Sequence, residues 1–192
     1  MRISLVVFLC LAASCVPVRL STPAASPGPT TQAAPKLTPP RDAVLTTADL
    51  SEGCALLEER NDSWDALAFE GYRSGWIAFL ACNATASRNI RVMSEATSYS
   101  DADLAREAVS TTRAFLLTHD PGLVEVPLTT DRVGDVSFVF EDTWTMFPDE
   151  VRYAVAFSGG NMSHLLDVQG PPGMVDFAMA MALANRQLAR AR

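Results

Sequence analysis

Residues 43–192 predict one α+β domain, an antiparallel sheet of about five to six strands with two main helices packed on one face. Three observations carry this. Short alternating or continuous apolar runs recur along the stretch, and two longer runs repeat apolar residues at helical spacing. A glycine pair also joins two alternating runs near the end.

Taken in order, Thr46-Thr-Ala-Asp-Leu50 and Ser51-Glu-Gly53 form a helical turn or loop ahead of a strand over 54–59. Residues 75–83 (GWIAFLACN) are nearly continuously apolar between a Gly and an Asn, which suits a buried central strand. Residues 89–99 alternate through Ile90 and Val92 as a third strand. Ser100 or Asp101 then caps a helix, with Asp103 placed to complete a capping box. Leu104, Ala108, Val109, Thr112, Phe115 and Leu116 give this helix one apolar face, and Asp120-Pro121-Gly122 stops it.

Residues 135–142 (DVSFVFED) alternate as a strand. The runs 151–157 and 162–168 flank Ser158-Gly-Gly-Asn161, whose residues tolerate positive φ, so they form a β-hairpin. Pro171-Pro172-Gly173 opens a last helix to about Arg190, with Val175, Ala178, Met179, Ala182 and Leu183 among its apolar residues. Arg186, Arg190 and Arg192 complement the dipole at its end.

The first fifteen residues have a different logic. Arg2 supplies a positive n-region, an apolar core follows to Ala13, and Ala12-Ala13-Ser14 places small residues directly before Cys15. A bilayer span needs about 20 apolar residues, so this run is too short to cross. The pattern predicts a lipoprotein signal peptide over 1–14 and lipid attachment at Cys15, which puts the domain outside the cytoplasm on a cell membrane or outer membrane. Bulky Leu9 and Phe8 exclude Cys10. Residues 15–42 are rich in Pro, Thr, Ser and Ala and predict a disordered tether.

The net charge of −7, with Lys36 the single lysine, excludes nucleic acid, whose binding needs clustered cations. It also excludes docking of the domain itself on anionic lipid, leaving the N-terminal lipid as the membrane partner. Cys54 and Cys82 are expected to form a disulfide in an oxidising compartment, the alternative being buried free thiols.

Motifs for chemistry are sparse. His119 and His164 have no His or Cys partner at ligand spacing, so no metal site and no cofactor are expected. Ser158 and Ser163 lack a nucleophile elbow, and no catalytic residue is assigned. Three glycosylation sequons, at Asn61, Asn83 and Asn161, are read as coincidence beside a lipoprotein signal. Aromatics on connections carry more weight: Trp64, Phe69, Tyr72 and Trp76 in one stretch, Trp144 and Phe147 in another. Either they cover the sheet as core, or they line a cleft and anchor a ligand.

Val133-Gly-Asp-Val-Ser137, Gly159-Gly-Asn161, Gly170-Pro-Pro-Gly173 and Thr46-Thr-Ala-Asp-Leu50 together resemble a type of small bacterial envelope lipoprotein of uncharacterised function. Val136 stands where a Glu is common there. The resemblance covers about 140 residues and implies an α+β extracytoplasmic domain loosely similar to PsbP-like and mycobacterial sensor-domain lipoproteins. The expected role is a non-enzymatic module binding an envelope protein or a small apolar ligand, with an accessory envelope hydrolase or a structural envelope protein as alternatives.

Overall fold

A computed structural model describes residues 38–62, 69–85, 88–128, 131–142 and 149–192. The expected signal peptide, Cys15 and most of the expected tether lie outside the described residues. The chain runs α1 (Pro40–Ala43), a 3-10 turn (Thr47–Asp49), β1 (Cys54–Asp62), β2 (Tyr72–Thr85), β3 (Arg88–Tyr99) and α2 (Ala102–His119). It continues through β4 (Leu123–Val126), β5 (Val136–Asp142), β6 (Val151–Gly159) and β7 (Met162–Gly170) to α3 (Phe177–Arg190).

Among the described residues seven strands form one sheet in the order β1-β2-β3-β7-β6-β5-β4, each neighbour antiparallel. That is one strand more than expected. The unforeseen one, β4, is four residues long, with Val124 half-exposed. The predicted hairpin closes with Gly159 opposite Met162 across a two-residue turn, where Gly160 has φ +58°. Asn161 in the same turn donates its amide to the carbonyl of Tyr99 at 2.9 Å, tying the hairpin to the end of β3.

The two long helices do not share a face. Ladder partners point the same way and successive residues point oppositely. The register therefore puts Phe140, Ala154 and Asp167 on one side of the sheet and Val139, Val155 and Leu166 on the other. Leu116 of α2 packs with Phe140 and Ala154, whereas Ala180, Leu183, Ala184 and Leu188 of α3 pack with Val139, Val155 and Leu166. The expected arrangement with both helices on one face is thus corrected: α2 and α3 cover opposite faces. The reason lies in β5 and β6, where consecutive residues, Val139 and Phe140 and then Tyr153 to Phe157, are buried on alternating sides, so each face of the sheet needs a cover. Every large side chain buried there contributes roughly 1.5–3 kcal/mol.

Local details of both helices also differ from expectation. Asp101 caps α2 by accepting from the Leu104 amide at 3.0 Å, which holds its carboxyl below the usual carboxylate range. Asp103 pairs with Arg106 and does not complete a capping box there. A capping box does close on the 3-10 turn, between Thr46 and Asp49. Ala105, Ala108 and Val109 are the buried positions of α2, and Phe115 turns outward to stack on His119 with ring centroids 4.2 Å apart. The last helix starts at Phe177, capped by Asp176, and buries Ala180, Met181, Leu183, Ala184, Gln187 and Leu188, leaving Ala178 and Ala182 exposed. Arg190 and Arg186 anchor its end to Asp49. Cys54 and Cys82, opposite one another in the β1–β2 ladder, form a disulfide.

Candidate functional site

Helix α2 crosses one end of its sheet face, packing mainly against β6 and β7, and leaves the part built by β1, β2 and β3 beside it. A groove of about 290 Å³ opens there. Its apolar wall is Leu57, Phe79 and Met93, and its polar wall is Arg91, Arg152, Asp167 and Gln169. Strand alternation produces the polar wall: Leu166 and Val168 of β7 point into the core under α3, so Asp167 and Gln169 point to the α2 side. A break in the β1–β2 register between Leu56 and Glu58 frees Leu57, which is 65% exposed. The Arg60 guanidinium sits 5.1 Å over the Phe79 ring centroid.

One guanidinium organises the polar wall. Arg152 donates through Nε to Asp167 Oδ2 at 2.7 Å and through Nη1 to Asp120 Oδ2 at 2.7 Å, with Asp142 Oδ2 at 3.9 Å. The two members of the main pair shift in the same direction for different reasons. Burial pushes the Asp167 carboxyl up, against the pull of Arg152. Burial also opposes the charge on Arg152, but its bonds to Asp167 and Asp120 outweigh that and raise it above its ordinary range. Gln169 donates its amide to Glu150 at 2.6 Å, and Arg91 pairs with the same carboxylate at 2.5 Å.

The described residues lining this groove include no Ser, Thr, Cys, His or Lys, so among them no such nucleophile is set beside a base. His164 lies on the opposite face, 3% exposed and stacked on Phe157, and burial lowers it to about 3. His119 stands at the exposed end of α2. Among the described residues no cluster of His, Cys, Asp and Glu could hold a metal ion, and no helix is long and apolar enough to cross a membrane.

Of the six aromatics singled out in the sequence, Trp64, Trp144 and Phe147 lie outside the described residues. Phe69 meets Tyr99 edge-on at 6.3 Å, and Tyr72 joins the same cluster against Ala105 and Ala108 of α2 while donating its hydroxyl to the carbonyl of Asp62. Trp76 is on the α3 face, packed against the main core, with the Arg41 guanidinium 5.1 Å over its ring. The fold therefore brings Phe69 and Tyr72 together and keeps Trp76 apart from them, and none of the three lines the groove. The groove residues carried a weaker signal: an Asp and a Gln alternating with apolar residues in β7, and one Phe inside a run that reads as wholly buried.

These features define an α+β domain with an open, groove-bearing sheet face. No family model and no curated protein matches the chain. Its structure is similar to the crystal structure of the extracellular domain of PknH from Mycobacterium tuberculosis, with a TM-score of 0.59 over 79% of this chain and 93% of that domain. The two sequences are 12% identical, so the likeness is one of fold.

Proposed function

We propose that this chain is a lipid-anchored binding protein of the cell envelope, attached through Cys15, whose groove beside α2 holds a small ligand or an apolar segment of an envelope protein. The observation that carries this reading is the groove itself: an apolar wall of Leu57, Phe79 and Met93 facing a few placed polar groups, with no hydroxyl, thiol, imidazole or amine among its described lining residues. That combination is the usual make-up of a ligand site. The fold it shares with an extracellular domain supports a place outside the cytoplasm. The lipoprotein pattern of residues 1–15 supports the anchor. A hydrolytic role would need a reacting group beside Asp167, and the described residues of the lining supply none.

The test is a native mass spectrum of the protein purified from its own host's envelope. A chain that starts at Cys15, carries a diacylglyceryl-sized addition and sheds a labile non-covalent mass on activation is the expected result. An unmodified N-terminus contradicts the anchor. A lipidated chain with no labile mass moves the role to protein partners.

A further inference from the structure

A smaller pocket, of about 180 Å³, opens on the α3 side of the sheet beside the disulfide. Leu50, Met179 and Leu183 form its apolar sides, and Ser51, Cys82 and Arg186 also line it, whereas Cys54 does not. Cys82 is a buried residue, so the pocket is what gives its sulfur an approach. Cys54 lies across the ladder from it on β1, an edge strand with β2 as its single neighbour among the described strands. The Ser51 hydroxyl stands 3.8 Å from Cys54 Sγ. Arg186 donates to the backbone carbonyl of Asp49, a neutral acceptor, while the Asp49 carboxylate is taken by Arg190. Among the described residues Arg186 forms no ion pair, so its charge acts on whatever enters the pocket. An approachable sulfur beside a free cation is the setting in which cysteines react.

We infer that this pocket is a thiol-exchange site, at which a small anionic thiol opens the disulfide and is carried on Cys82. The incoming thiolate attacks Cys82 Sγ, a new sulfur–sulfur bond forms there, and the Cys54–Cys82 bond breaks. The electron pair leaves on Cys54 Sγ, which accepts the Ser51 hydroxyl and then a proton from water. The return step runs in reverse: the Cys54 thiolate attacks Cys82 and expels the small thiol. Arg186 favours an anionic carrier by drawing it in and by holding its charged end once it is bound. The pocket has the volume of roughly six water molecules, which suits a small thiol and excludes a protein loop. While Cys82 carries the thiol, the edge strand is held by its ladder to β2 alone.

The test uses the chain from residue 15 onward carrying Cys15→Ser, in which Cys54 and Cys82 are the only cysteines. It is incubated without denaturant with 2-mercaptoethanesulfonate or 2-mercaptoethanol, thiols of similar size and basicity that differ in charge. Free thiols are trapped with N-ethylmaleimide, and both adducts are mapped by peptide mass. The small thiol is expected on Cys82 and the maleimide on Cys54. At low salt the sulfonate should add about fivefold faster per unit of thiolate, an advantage that high salt removes. Arg186→Gln should bring the two thiols to the same rate and leave that of the neutral one unchanged. The small thiol on Cys54, or the same ratio of rates in Arg186→Gln, overturns the site. Opening no faster than global unfolding, timed by hydrogen exchange of the β2 amides, also overturns it and leaves the disulfide a structural link alone.

Discussion

Phe157 and His164 face each other across the β6–β7 ladder, their rings stacked 4.7 Å apart and inclined by 13°, beneath α3. The imidazole receives the Gln187 amide at Nδ1, 3.3 Å away, while Nε2 is buried with no partner among the described residues. With Nδ1 accepting, the neutral ring keeps its proton on Nε2 and a second proton would have to sit on Nδ1 facing the Gln187 N–H, and burial holds His164 neutral down to about pH 3.

This relationship predicts acid sensitivity. The unfolded chain takes up the proton near the ordinary histidine value of about 6.5 and the folded chain does not, so stability is complete above that value and falls as pH drops. The loss approaches about 1.4 kcal/mol per pH unit from there to about pH 3. Urea unfolding at several pH values should show this slope in the wild type and a shallower one in His164→Phe. Equal slopes would exclude His164 as the cause.

The disulfide predicts a redox-dependent melting temperature. Cys54 and Cys82 close a loop across 28 positions at the outer edge of the sheet, where β1 has a single neighbour. Constraining the unfolded chain in this way contributes roughly 3–4 kcal/mol, which is roughly 10 °C for a domain of this size. Cys54→Ser should melt lower than the wild type by that amount under oxidising conditions and match it in dithiothreitol. Equal melting under oxidising conditions would mean that the bridge does not form.

Two glycines with positive φ predict opposite tolerances. A side chain at Gly134, φ +68°, would put its Cβ 1.9 Å from the carbonyl oxygen of Ser158, a backbone atom that cannot turn aside. One at Gly160, φ +58°, meets nothing within 4 Å. Gly160→Ala should cost about 1–2 kcal/mol, the left-handed conformation alone. Gly134→Ala should cost distinctly more, because the chain must also shift. Thermal melts of the pair decide it, and equal losses would contradict the account.

Arg152 holds the polar wall together and should be costly to remove. Arg152→Met leaves the half-buried Asp167 without its cation, a loss of about 2–3 kcal/mol, below that for a fully buried pair. Adding Asp167→Leu should recover part of that loss, since it removes the orphaned charge. Chemical denaturation of the two variants measures the recovery. A double variant no more stable than the single one would show that Arg152 acts mainly through Asp120 and Asp142.

Much of the fold was legible because its elements carry strong local signals. Asp101 caps α2 at a position that side-chain chemistry marks, and Gly159-Gly160-Asn161 sets the hairpin turn, whereas α3 opens at Asp176 and not at Pro171-Pro172-Gly173. Strand β4 escaped because four residues are too few to show a period. The distribution of the helices over both faces escaped for a different reason. Whether Phe140 or Val139 faces a given helix depends on register with β6, which is a pairing between distant segments. The site was less legible still. Leu57, Phe79, Met93, Asp167 and Gln169 come from four strands that only the sheet order brings together, whereas aromatics on connections drew attention by composition. Phe69 and Tyr72 instead pack with Tyr99 beneath α2.

The groove is the central claim, and filling it is the most direct trial. Met93→Trp places a ring between the apolar and polar walls, at the ladder position opposite Asp167. Native mass spectra of wild type and variant, both purified from the host envelope, should show the labile mass on the wild type alone, with the two melting at the same temperature once that mass is stripped. A labile mass that persists on the filled variant would place the ligand elsewhere and contradict the account.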